Sequence, residues 1–113
     1  MEVWRMNKII EFLQKNDIDF RCEFWGDDYF EDHFRVPGLL VSFDLWEGKE
    51  ESIKMRAFKK FMARKRSYVA VCNKYGVGYY YRVMTVQDNL RYIEHEEKKA
   101  AAVEKFWQER RGM

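Results

Sequence analysis

Two segments of the chain alternate apolar and polar side chains at every second position, and this pattern constrains the fold more than any other feature. The apolar positions are Ile18, Phe20, Cys22 and Phe24 in the first segment and Leu39, Val41, Phe43 and Leu45 in the second. Successive side chains of a β-strand point to opposite faces of the sheet, so each segment is predicted to be a strand with one buried face. Cys22, and Cys72 within the apolar run 68–72, are expected to be small buried residues.

The other segments complete a domain of 113 residues, a length that suits one hydrophobic core. Apolar spacings of three and four predict helices at residues 1–15, 52–66 and 86–110. Further strands are predicted at residues 68–72 and 77–84, with an ambiguous one at 29–36. The predicted fold class is α+β, in the order α-β-(β)-β-α-β-β-α. Residues 1–113 are expected to form a single α/β-type domain in which three helices pack on one mixed sheet of four or five strands.

Turn and capping residues predict where several of these elements begin and end. Pro37-Gly38 suits the middle of a β-turn, so the chain is expected to turn there. Ser52 is a candidate N-cap for the second helix. Thr85 is expected to open the last helix, with Asp88 three residues further on as a weaker form of the capping box.

Charge is divided unevenly along the chain, although the formal net charge is only +2. Residues 1–52 contain 13 acidic and 6 basic side chains, a net charge of −7, whereas residues 53–113 contain 6 acidic and 15 basic ones, a net charge of +9. This asymmetry indicates a surface that faces a polyanion or a charged partner. The alternative is that the two halves interleave in the fold and neutralise each other.

The helix predicted at residues 52–66 has an apolar side and a side with five cations. No acidic residue stands between Ile53 and Arg66. Cations four residues apart, such as Arg56 and Lys60, repel each other by a few tenths of a kcal/mol. Bound phosphates would offset this repulsion and release counterions, whereas a solvated basic face is the alternative.

Tyr80 and Arg82 share the outer face of the strand predicted at residues 77–84, where a ring and a guanidinium suit stacking on bases. The sequence therefore predicts a small binding domain without catalysis, which binds nucleic acid through the basic helix (residues 53–66) and an adjacent strand face. The residues assigned to binding are Arg56, Lys59, Lys60, Arg64, Arg66, Tyr80 and Arg82.

A protein–protein interaction module, including a homodimer, is the first alternative. The segment from Asp27 to His33 carries four carboxylates and an imidazole, so it is predicted to be an acidic surface loop. Such a loop could also dock on a basic partner or bind a cation, although it lacks EF-hand spacing. Trp25 and Trp46 project from the polar sides of their predicted strands, where they are either covered by a helix or form a dimer or partner surface.

A nuclease is the second alternative. Glu47-Gly48-Lys49 forms an E-x-K pair, Asp44 precedes it closely, and Glu11 lies on the first predicted helix. Together with the order of helices and strands, these residues resemble the PD-(D/E)XK nuclease-like core. The resemblance implies that the acids hold Mg²⁺ and that Lys49 lies near the attacked phosphate, in a divergent metal-dependent nuclease or its degenerate relative.

The residues themselves favour binding over catalysis. The three serines do not stand in a G-x-S-x-G turn, and the sequence has no phosphate-binding glycine loop, so we assign no catalytic residue, no metal ligand and no cofactor. His95 stands on a charged helix and is expected at the surface. An N-terminus without a signal-peptide pattern, and the lack of a long apolar run, predict a cytoplasmic protein with no membrane partner.

Overall fold

Three helices pack on the two faces of a four-stranded sheet in the computed structural model, which describes residues 6–44, 48–76 and 78–111. The helices are α1 (Asn7–Lys15), α2 (Lys49–Met62) and α3 (Val86–Arg111), and the strands are β1 (Asp19–Asp27), β2 (Phe34–Asp44), β3 (Tyr68–Tyr75) and β4 (Gly78–Thr85). The predicted α+β class and the order of the elements are confirmed. None of the helices in these ranges has the long apolar stretch that a bilayer-crossing segment needs.

The sheet has the order β1-β2-β4-β3, and every neighbouring pair of strands is antiparallel. The expected mixed sheet is therefore wrong. The reason is that β4 turns back from β3 and inserts between β3 and β2, so the two strands that α2 connects are not neighbours. The ambiguous strand at residues 29–36 is not a separate element, because its last three residues belong to β2.

The predicted turn at Pro37-Gly38 is also wrong, since β2 runs straight through both residues. Pro37 pairs with Phe24 of β1, and the pairing of β2 with β4 begins only at Leu39. A proline, which cannot donate a ladder hydrogen bond, is tolerated where only one neighbouring strand is paired. The chain turns instead between β1 and β2, at residues 28–33.

The main core lies between the sheet and the pair α1 and α2. Leu39, Val41 and Phe43 are buried as predicted, whereas Leu45 lies outside the described residues. The rings of Phe43, Phe58 and Tyr81 meet in this core, with centroids 5.2–5.7 Å apart. The side chain of Phe12 stacks on that of Phe61 at 4.0 Å and joins α1 to α2.

The two cysteines are exposed, so their predicted burial is wrong. Both lie on edge strands, Cys22 on β1 and Cys72 on β3. The register places Cys22 on the same face as Leu39, but that face is covered by helices only in its middle. Phe24, two residues further along β1, is 49% exposed for the same reason.

Helix α3 covers part of the opposite face of the sheet. Thr85 caps it as predicted, because the Thr85 hydroxyl accepts a hydrogen bond of 3.1 Å from the backbone N–H of Asp88. On the face that α3 covers, Gly38 is buried against Trp25, and Trp25 is half-buried, which accords with the expectation that a helix covers it. Trp46 lies outside the described residues.

Candidate functional site

Helix α2 positions the predicted cations by burying its other side. Its residues Phe58 and Met62 enter the core, and Glu51 in its first turn accepts a hydrogen bond of 3.3 Å from the backbone N–H of Asp44 at the end of β2. The helix begins at Lys49, so Ser52 lies inside it and is not the N-cap that the sequence predicted.

Five cations on α2 and in the turn that follows it are exposed to solvent. The helix ends at Met62, four residues before the predicted end, and backbone hydrogen bonds at residues 63–65 form the turn toward β3. The last two cations therefore project from that turn rather than from the helix. We call these five exposed residues the basic surface: Arg56, Lys59, Lys60, Arg64 and Arg66.

The basic surface is not neutralised by the acidic half of the chain as far as the structure describes it. None of its five cations lies within 4.0 Å of a carboxylate of the described residues. Elsewhere the two halves do pair. Lys54 lies 3.8 Å from Asp17, and Lys99 lies 2.8 Å from Asp27. The acidic half thus engages two cations of the basic half and leaves this cluster facing water.

Tyr80 and Arg82 do not join the basic surface, because they lie on the opposite face of the sheet. Tyr81 between them enters the core beneath α2, whereas Tyr80 and Arg82 point to the side of α3. A guanidinium nitrogen of Arg82 donates to the Asn89 side chain at 3.0 Å, and the guanidinium carbon lies 4.3 Å from the centre of the Tyr92 ring. Arg82 therefore holds α3 on the sheet, and only Tyr80 of this pair is exposed, at 37%.

A polar cluster with a buried histidine joins α3 to the end of β1, and the sequence did not indicate it. His95 is buried rather than at the surface, so that prediction is wrong. Its ring stacks on Phe34 with centroids 4.2 Å apart, and its Nε2 donates to a carboxylate oxygen of Asp27 at 2.8 Å. The Lys99 ammonium donates to the other oxygen at 2.8 Å.

Hydrogen bonding in this cluster stabilises the charged forms of Asp27 and Lys99. The hydrogen bonds from Lys99 and then from His95 hold the pKa of Asp27 well below its usual range. The same contact raises the pKa of Lys99 above its ordinary value. The one signal in the sequence is the spacing of four between His95 and Lys99, which places both on one side of α3.

The cluster is a structural tie rather than a metal centre. Atoms of Asp27, His95 and Glu96 lie within 4.8 Å of one another, and this is the one such group among the described residues. A metal ion held by Asp27 and His95 would have to replace the hydrogen bond between them, and it would lie next to the positively charged Lys99 ammonium on the other oxygen of Asp27. We therefore assign no metal to it.

The remaining predicted features stay apart from one another. Of the acidic loop, Asp28 contacts His33 and Arg35, at 3.3 and 3.4 Å. Beside the loop an open cleft of about 650 Å³ is lined by side chains of both signs, including Asp32, Arg91 and Lys98.

The acids of the nuclease resemblance lie only partly within the described residues, so this resemblance stays a prediction. Glu47 lies outside the described ranges, and Glu11 and Asp44 are exposed. Neither Glu11 nor Asp44 belongs to the one group of candidate metal ligands. The arrangement of these acids therefore adds nothing to the resemblance.

Comparison with protein-family models, with curated proteins and with solved structures finds no match to this chain. The function is therefore argued from the geometry of the chain itself.

Proposed function

We propose that this protein binds nucleic acid through its basic surface, without catalysis, by contacting the sugar–phosphate backbone. The observation that carries the proposal is that five exposed cations lie on α2 and the turn after it, with no carboxylate of the described residues within 4.0 Å. Phosphate contacts of Lys and Arg supply most of the affinity of non-specific nucleic-acid binding.

The repulsion within the basic surface supports a bound polyanion. Arg56 and Lys60 are four residues apart on one side of α2, and Lys59 lies beside them. Such like-charged neighbours destabilise a helix by a few tenths of a kcal/mol each. A phosphate backbone neutralises several of these charges at once and returns condensed counterions to the solvent.

The distribution of aromatic side chains favours a duplex over a single strand. Proteins that bind single strands combine cations with exposed rings on which bases stack. The exposed rings of the described residues are Phe24, Tyr29, Phe30, Tyr80, Phe106 and Trp107. None of them lies on α2 or on the turn that follows it, so we expect backbone contacts to a duplex with little preference for sequence.

The salt dependence of binding tests the proposal. If all five cations neutralise phosphates of B-DNA, the plot of log K against log salt has a slope of about −4.5. Affinity then falls roughly 500-fold between 50 and 200 mM salt. Fluorescence anisotropy of a labelled 20-base-pair duplex measures this slope, and the corresponding RNA duplex is measured beside it.

Removal of two cations of the basic surface should change that slope by a known amount. The variant Lys60→Gln with Arg64→Gln leaves three cations, so we expect a slope of about −2.7. The matched control is Lys98→Gln with Lys105→Gln, which removes the same charge from exposed positions on α3. An unchanged slope in the first variant, an equal change in the control, or no binding at 50 mM salt would contradict the proposal.

Incubation of the labelled duplex with Mg²⁺ or Mn²⁺ separates binding from the nuclease alternative. An intact duplex supports binding without catalysis. Cleavage that is lost in the variant Glu47→Ala would instead favour the nuclease. A cytoplasmic location accords with a nucleic-acid ligand and stays a prediction.

A further inference from the structure

Helix α3 extends far beyond the sheet that it packs on. Its 26 residues span about 39 Å, and Lys99, near the middle, is the last helix residue that donates a hydrogen bond to a strand among the described residues. Every residue from 103 to 111 is exposed. This projecting segment carries large apolar side chains: Val103 is 39% exposed, Phe106 50% and Trp107 53%.

A helical segment that packs against no other part of the protein is unusual, because helices in proteins gain most of their stability from packing an apolar side. The positions 96, 100, 103, 107 and 110 recur at spacings of four and three, which is the spacing of a helix–helix seam. By the rotation of 100° per residue, this seam lies about a quarter turn away from His95 and Lys99, which face the sheet. The seam is exposed from Ala100 to Arg110, and Glu96 at its start is half-buried.

We propose that the seam binds the same seam of a second copy of this chain, with the two α3 helices antiparallel. When Ala100 of each copy lies opposite Trp107 of the other, the small side chain leaves space for the indole, and the twofold axis passes next to Val103. This register also places Glu96 opposite Arg111 and Glu97 opposite Arg110. Each copy thus presents the same patch to the other, as a twofold interface requires.

Charge selects the antiparallel arrangement over the parallel one. In a parallel pair, Glu97 would face Glu97 of the second copy and Arg110 would face Arg110, and like charges at such positions are unfavourable. In the antiparallel pair, each end of the seam joins an acid of one copy to an arginine of the other. The two sheets then lie at opposite ends of the helix pair.

The size of the seam indicates a reversible dimer. The paired segment of 16 residues, from 96 to 111, is about 24 Å long. Two such segments approach the lower limit of specific interfaces, about 1,000 Å² in total. The basic surface lies on α2, on the other side of the sheet, so the dimer leaves it open and does not depend on the proposed function.

Sedimentation equilibrium of the full chain in reducing buffer, from about 1 to 500 μM and without nucleic acid, tests the proposal. We expect the mass to rise from 13.9 kDa toward about 28 kDa with concentration. Trp107→Glu should remain a monomer throughout. The matched control Gln108→Glu adds the same charge at the next position, which is exposed but off the seam, and should dimerise like the parent. Circular dichroism confirms that both variants are folded.

Charge reversal tests the orientation. Glu97→Arg alone and Arg110→Glu alone should each weaken the dimer at least tenfold, and the chain with both changes should regain it, because each pair is restored with its signs exchanged. A monomer at all concentrations overturns the proposal. A dimer that persists in Trp107→Glu, or a double variant no better than the single ones, overturns it as well.

Discussion

The change Gly38→Ala tests whether Gly38 lies in a strand packed closely against β4 or in a turn. The measured quantity is the loss in the free energy of unfolding. A methyl group on Gly38 would lie 2.6 Å from the backbone oxygen of Val83, 2.9 Å from the Trp25 ring and 3.1 Å from the Met84 side chain. Carbon atoms rest at about 3.5 Å or more from such neighbours. The strands would therefore have to separate by close to 1 Å, because a backbone oxygen cannot rotate away.

The cost follows from this overlap. Forcing an extra carbon into a packed site destabilises by about 1–3 kcal/mol, and an obstacle made of backbone puts this site near the upper end. The lower flexibility of the unfolded chain with alanine in place of glycine offsets about 0.4–1 kcal/mol of this destabilisation. We therefore expect the free energy of unfolding to fall by about 2 kcal/mol, with a melting temperature lower by about 8 °C in a domain of this size.

Urea unfolding followed by circular dichroism measures the change, with an unchanged dependence on denaturant as the sign of an intact fold. Gly76→Ala is the control, since a methyl group there meets no atom within 4 Å. Its only cost is that alanine must adopt the left-handed backbone angle of +58°, which destabilises by about 1 kcal/mol. If Gly38→Ala is neutral or stabilising, Gly38 does not lie between two strands, and the turn that the sequence predicted would be correct.

Two further predictions concern the ends of α3 and β1. Thr85→Ala should destabilise the protein by about 1 kcal/mol through loss of the helix cap, while Thr85→Ser should retain most of the stability, both measured by urea unfolding. Asp27→Asn should destabilise the protein at pH 7. Because folding holds the pKa of Asp27 well below its unfolded value of about 3.9, its contribution is fully present above that value and is lost as the pH falls from there toward the folded pKa, so the difference between the variant and the parent should begin to shrink below about pH 4 and keep shrinking at lower pH. A difference that stays constant from pH 7 to pH 3 would contradict this.

The sequence was most informative where periodicity decides the structure. Alternation placed Val41 and Phe43 in the core, and the capping residue Thr85 marked the start of α3. It was least informative where a contact comes from a distant segment. His95 lies among charged residues of its own helix, and it is buried only because Phe34, from β2, stacks on it.

The sequence predicted which cations are exposed, but it did not predict which of the candidate residues lie together. The amphipathic pattern correctly turned Lys59 and Lys60 away from the core. The pattern also indicated that Tyr80 and Arg82 face away from it, but sequence spacing does not tell which face of a sheet a helix will cover. Because α2 packs on one face and α3 on the other, the two predicted parts of the binding surface are separated by the sheet.

The positions of the two cysteines on the outermost strands determine what oxidation does to this protein. Three strand spacings separate β1 from β3, about 14 Å across the sheet, whereas a disulfide needs Cα atoms within about 7 Å. An internal bridge between Cys22 and Cys72 would therefore require the sheet to come apart. Oxidation by air or peroxide should instead form disulfides between separate molecules. Because each chain carries two exposed thiols, the products should be covalent oligomers of increasing length as well as dimers.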